Sequence, residues 1–209
     1  MHEHNHKENI LIELGHHLPY STFSVLAGMV LVTAIAYAGS ESVFKGFFHL
    51  FHPGHLLLSA AATTGMFWRY NKRFVMAIGV GFVGSAGICG ISDVVLPYLG
   101  GLALGQHMEF HICFAEHPHI VVPFVLIGIA AGILAEDFIK KSTVYSHSGH
   151  VLVSSVASTL YLISFGVKDW LNNLGWIFLI VVICVMLPCC FSDIVFPLLF
   201  VKDHDHDEE

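Results

Sequence analysis

Two stretches of this chain carry the same polar residues in the same order. Residues 51–70 read FHPGHLLLSAAATTGMFWRY and residues 146–165 read SHSGHVLVSSVASTLYLISF. His52, Gly54, His55, Ser59 and Ala62 recur 95 positions later as His147, Gly149, His150, Ser154 and Ala157. Upstream, Glu41 and Lys45 match Glu136 and Lys140 at the same offset of 95. Downstream, CGISDVVLPYL (89–99) returns as CCFSDIVFPLL (189–199), offset by 100. The pattern predicts a tandem duplication with a few extra residues late in the second copy. A fold built on it must place like residues at equivalent positions.

The remainder of the chain says what solvent that fold meets. Hydrophobic residues make up 55%, charged residues only 12%, and mean hydropathy is +0.71, well outside the soluble range. Six apolar runs, at about 21–40, 43–69, 74–99, 120–139, 149–167 and 175–200, approach the roughly 20 residues a membrane crossing needs. The expectation is an all-α polytopic membrane protein of six transmembrane helices, arranged as two three-helix repeats. It divides into a His-rich tail (1–20), a first repeat (21–99), a His/Cys/Glu loop (100–119), a second repeat (120–200) and an acidic His-rich tail (201–209). Its partner is the lipid bilayer, and no basic patch argues for nucleic acid. A homodimer is compatible with the sequence. Ala36-Tyr37-Ala38 mimics a signal-peptide cleavage site, but the preceding MHEHNHKE is acidic and His-rich rather than basic.

Lysine and arginine set orientation. With six spans, Lys7, Arg69, Lys72, Arg73, Lys140, Lys141 and Lys202 share one side, against Lys45 and Lys168 on the other. Both termini are therefore expected in the cytoplasm of an inner or plasma membrane, with loop 100–119 outside. Three spans per repeat is odd, so the second copy enters the membrane inverted, as in many secondary transporters.

The repeated polar residues are the candidates for chemistry. His52-Pro53-Gly54-His55 falls mid-span, where proline and glycine predict a helix break. His52 and His55, like His147 and His150, lie i,i+3 and face one way on a helix. Asp93 and Asp193 sit in apolar sequence, where an ionisable residue costs about 3 kcal/mol and is by default functional. Pro97 and Pro197, at i+4, remove the N–H that would bond each aspartate carbonyl. Ser92 and Ser192 add a hydroxyl beside each. Glu41 and Glu136 are expected at the ends of the first and fourth spans. Parity puts the two constellations on opposite faces, or both converge at midplane on broken helices. Cys89 and Cys189 lie one turn before each aspartate on the same face; they read first as packing residues, with thiolate ligation as the alternative.

His plus carboxylate, with optional thiolate, suits a divalent transition metal (Zn, Ni, Co, Fe or Mn) and not magnesium or sugars. The expected metal-ligating set is His52, His55, Asp93, His147, His150, Asp193, Glu41, Glu136, Ser92 and Ser192. Proton exchange through the aspartates is expected to accompany transport. The terminal tracts (His2, His4, His6; Asp203, His204, Asp205, His206, Asp207) read as unstructured and loosely metal-binding, which favours efflux. The loop carries His107, Glu109, His111, Cys113, Glu116, His117 and His119, with His107 and His111 at a helical chelating spacing.

The overall plan resembles six-helix inverted-repeat heavy-metal permeases, and GFFHLFHPGHLLLSA (46–60) is similar to the His-rich helix of nickel/cobalt permeases. The H-x4-D-H motif of that helix is missing here. His55-x3-Ser59 and His150-x3-Ser154 stand where six-helix cation-diffusion transporters carry H-x3-D. The resemblance implies a metal transporter and not an enzyme. The alternatives are a His-cluster di-iron membrane enzyme, hydroxylase- or desaturase-like, or a haem-binding membrane protein.

Overall fold

The computed structural model describes residues 3–38, 41–135 and 143–200, with side chains at residues 3–18, 38, 41, 143–147 and 194 left out of the description. The described residues are all-helical, without a strand. In chain order they form α1 (Glu3–Ala38), α2 (Glu41–Tyr70), α3 (Phe74–Ala103), the short α4 (Cys113–Glu116), α5 (Pro118–Leu134), α6 (Thr143–Phe165) and α7 (Leu174–Leu198).

Among the described residues, four stretches are long and apolar enough to cross a membrane: Pro19–Tyr37, Phe74–Ala103, Ser148–Phe165 and Leu174–Leu198. The fourth expected span, 120–139, is a shorter helix that ends at Leu134 after 17 residues. The second, α2, is 30 residues long, but histidine and hydroxyl side chains dilute its hydropathy. Those side chains point inward. His52, His55, Ser59, Thr63 and Thr64 of α2 are buried, as are His150, Ser154, Ser155, Ser158 and Thr159 of α6. Large apolar residues face out instead, among them Phe23, Val75, Leu134, Trp176, Ile183 and Leu187. An exposed apolar belt around a polar interior suits lipid rather than water as the surrounding solvent.

The interior is built on α2 and α6. Helix α2 packs against α5 and α6, and α1 packs against α6. In the apolar window of α6, 72% of residues are buried, against 33% in each of the other three spans. Close approach of α5 to α2 depends on Gly128 and Gly132, one helical turn apart. A Cβ on Gly128 would strike the Leu57 carbonyl, and one on Gly132 the Ala61 carbonyl and the Gly65 nitrogen. This is the small-xxx-small packing common between membrane helices.

Three local expectations are corrected. Helix α2 does not break at Pro53-Gly54; it runs unbroken from Glu41 to Tyr70 with Pro53 inside. One proline removes one backbone bond, and packing along the rest of a long helix outweighs that loss. The N-terminal tract is helical from Glu3 rather than unstructured, and residues 201–209 lie outside the described residues. Glu41 opens α2 instead of closing the first span.

The distortion falls on α3 and α7. Residues Val83–Cys89, Ile91–Val95 and Phe191–Val195 form π-helical turns. The Leu96 N–H reaches the Ile91 carbonyl, and the Phe196 N–H reaches that of Phe191, each five residues back. Each of the two later turns comes just before a proline, Pro97 or Pro197, that cannot bond four residues back. Such bulges recur at functional sites. Here they hold Asp93 and Asp193.

Candidate metal centre

The two constellations do not lie on opposite faces. They converge on one buried point. His55 Nε2 of α2 and His150 Nε2 of α6 lie 2.5 Å apart. Cys189 Sγ is 3.6 Å from His55 Nε2, and Cys89 Sγ is 3.9 Å from His150 Nε2. All four residues are buried, and their ligand atoms lie within 4.8 Å of one another. Each histidine thus meets the cysteine of the other half.

Carboxylates hold the far side of each ring. His55 Nδ1 is 2.6 Å from Asp93 Oδ2, and His150 Nδ1 is 2.6 Å from Asp193 Oδ2. A carboxylate only accepts, so each Nδ1 carries the proton and donates it. Each Nε2 is then left with a lone pair aimed into the centre. Two facing lone pairs at this distance repel unless a cation or proton stands between them. The carboxylate–histidine pairing is the arrangement that orients metal-binding imidazoles.

The spacing fits an ion. A tetrahedral metal with bonds of about 2.0 Å to nitrogen and 2.3 Å to sulfur sets N···S edges near 3.5 Å and N···N edges near 3.3 Å. The His55–Cys189 separation already matches, the His150–Cys89 separation is about 0.4 Å long, and the histidines would part by about 0.8 Å to admit the ion. Buried His/Cys groups of this kind could hold a metal ion.

Hydroxyls brace the surroundings. Asp93 Oδ2 also accepts from His52 Nδ1 at 2.8 Å, while Asp93 Oδ1 accepts from Ser154 Oγ at 2.9 Å and Ser158 Oγ at 3.4 Å. Ser59 Oγ donates to Cys89 Sγ at 3.0 Å, and its recurring counterpart Ser154 lies 3.6 Å from Cys189 Sγ.

The expected ligand residues therefore take different places. His55 and His150 face the centre. Asp93 and Asp193 stand behind them, and His52 binds Asp93 rather than the centre. Ser92 sits beside it, 3.2 Å from Ser154 Oγ and 3.8 Å from Cys189 Sγ. Ser192 is turned away and donates to the Gly84 carbonyl at 2.9 Å. The side chains of Glu41 and His147 are not described, and Glu136 lies outside the described residues. Cys89 and Cys189, expected first as packing residues and only second as thiolate ligands, complete the group with their sulfurs. Their signal was visible, since both recur with the aspartates at one fixed offset.

A second group gathers where the 104–117 loop caps α2. Cys113 Sγ is 3.5 Å from both His49 Nδ1 and His111 Nε2. Burial, with the Glu116 and Asp93 carboxylates, pushes the Cys113 thiol up to about 12. Burial also holds His111 below the usual histidine range; Glu116 pulls the other way, and the charge on a protonated His117 lowers it further.

No protein-family model, curated protein or solved structure matches this chain, so its relationships rest on the residues and geometry described above.

Proposed function

We propose that this protein is a membrane transporter of a divalent transition metal, with His55, Cys89, His150 and Cys189 as the ligands that hold the ion in transit. The observation that carries the reading is the pair of carboxylate-backed imidazoles whose Nε2 atoms face each other in a buried, helical interior. Two thiols beside them supply the soft component that zinc and its neighbours prefer.

A six-crossing, inverted-repeat topology with cytoplasmic termini accompanies this reading. Helix α2, at 30 residues, is about 45 Å long, more than the hydrocarbon thickness, and its polar residues face protein rather than lipid. Hydropathy alone undervalues such a helix. Ligands drawn equally from two recurring segments suit a site at a pseudo-two-fold axis. Asp93 and Asp193 can take protons as the ion leaves, which supports proton coupling.

One specific observation favours a second reading. Four protein ligands close a tetrahedral site, as in structural metal centres, whereas catalytic sites keep a position open. A fixed metal staple would bind but not exchange.

The deciding experiment pairs binding with flux. Purified protein, with and without His55→Ala and His150→Ala, is analysed for bound metal. The same proteins are placed in vesicles loaded with a metal-sensitive dye and challenged with zinc, nickel, cobalt, manganese and iron. Transport requires bound metal and flux that both vanish in the variants. Bound metal without flux would establish the staple. Absence of both would remove the metal reading.

A further inference from the structure

The loop group is not part of the buried centre. His49 lies six residues before His55 on α2, about 9 Å away along the helix axis. Cys113 Sγ lies between His49 Nδ1 and His111 Nε2, 3.5 Å from each, and the three ligand atoms fall within 4.8 Å of one another. His111 Nδ1 is 2.9 Å from Glu116 Oε1, which fixes its proton there and turns Nε2 toward the sulfur. His117 borders this group, its ring 5.1 Å from that of His49 and 6.0 Å from that of His111, and it gathers with His111 and Glu116 in an adjoining cluster.

The rings are held in place. His111 stacks on Phe165 at 4.8 Å with 9° between planes. Tyr161 pins the loop backbone, accepting from the His111 N–H at 3.2 Å and donating to the Glu109 carbonyl at 3.1 Å. Cys113 is buried, while His49, His111 and His117 are half-buried at the rim. A cavity of about 370 Å³ has both Cys113 and His52 in its wall. It therefore joins the loop group to the histidine that shares Asp93 with His55.

We infer that His49, His111 and Cys113 form a second transition-metal site, with His117 at its edge, separate from the buried centre. It is a staging position from which an ion reaches the centre along the Cys113–His52 cavity. The staging role rests on the transport reading; the site itself does not. One thiolate with imidazoles selects the same borderline cations as the centre. With fewer thiolates and more exposed ligands, it exchanges its ion faster.

Cobalt(II) tests the site on the full-length protein, reduced and in detergent. Thiolate-bound cobalt absorbs in the near ultraviolet by sulfur-to-metal charge transfer. The terminal His/Asp tracts hold no cysteine and are silent there. Cys89→Ser with Cys189→Ser should keep a charge-transfer band, and adding Cys113→Ser should abolish it. Cys113→Ser alone should keep the bands of the buried centre. Loss of all charge transfer in the Cys89/Cys189 double variant, with Cys113→Ser unaffected, overturns this inference and leaves the centre intact. Loss of all charge transfer in Cys113→Ser alone supports the loop site and removes the centre. Helicity and elution volume report folding. If the double variant does not fold, His49→Gln with His111→Gln takes its place. That variant should lose the share of one thiolate among three, and an unchanged spectrum would overturn the site.

Discussion

Asp93 is the residue whose replacement tests the centre most directly without touching a ligand. Its Oδ2 accepts from His52 and His55, and its Oδ1 accepts from Ser154 and Ser158. Asparagine keeps the shape. Its carbonyl can still accept from the histidines if the amide turns toward Ser154, whose hydroxyl can rotate to accept. The change therefore removes the negative charge that makes His55 Nε2 a better donor to metal and leaves the ring in place. Loss of such a carboxylate partner typically weakens metal binding about 10- to 100-fold. That corresponds to roughly 1.4–2.7 kcal/mol. Asp93→Ala goes further. It strands two buried N–H donors, adding about 1–3 kcal/mol for each, and should lower stability as well as affinity. Competition between the purified protein and a chromogenic chelator for zinc or cobalt reads the affinity directly. The expected order is unsubstituted chain, then Asp93→Asn, then Asp93→Ala, with His55→Ala weakest. If Asp93→Asn bound as tightly as the unsubstituted chain while His55→Ala did not bind, the carboxylate would have no part in preparing the imidazole, and the reasoning would fail.

Two other outcomes follow from the packing and the loop. Gly132→Val places carbon against the Ala61 carbonyl and the Gly65 nitrogen, backbone atoms that cannot swing aside, so overpacking should cost about 1–3 kcal/mol. The melting temperature in detergent should fall, and an unchanged one would refute the close α2–α5 contact. Cys113, pushed up to about 12, remains a thiol through neutral and mildly alkaline pH in metal-free protein. The thiolate is the form that reacts, so maleimide labelling followed by mass spectrometry should find it far slower than a free cysteine, and faster only near the raised value. Labelling at the rate of free cysteine near neutrality would contradict that.

Much of the centre was legible in the chain because it recurs. His55 and His150, with Asp93 and Asp193, were named from spacing alone, and in the structure each Nδ1 finds its aspartate. The roles were harder to read. An aspartate and a histidine in one apolar span look alike as ligands, and only the direction of Nδ1 against Nε2 separates the binder from its support. Cys89 and Cys189 rank as packing residues ahead of ligands in the sequence because a buried thiol is usually just a small apolar group. The expected break at Pro53 failed because local propensity yields to packing over a long helix, whereas Pro97 and Pro197 foreshadowed the π turns without specifying them. Mean hydropathy says little about α2 for a related reason: it averages faces that the fold keeps apart.

The π-helical turns make the centre depend on residue count as well as residue identity. An α-helix rotates 100° per residue, so an extra residue taken up in a wider turn leaves the flanks in phase only while the turn stays wide. Deleting one residue between Val83 and Val95, or between Phe191 and Val195, would let the helix close to ordinary winding. The flanks would keep their phase, but a residue inside the turn, Asp93 or Asp193, would lose the position that the wider winding gives it and shift off its histidine, with every side chain of the centre still encoded. In this chain a frame-preserving loss of one codon is a harsher lesion than most substitutions, and length is a hidden letter of the site.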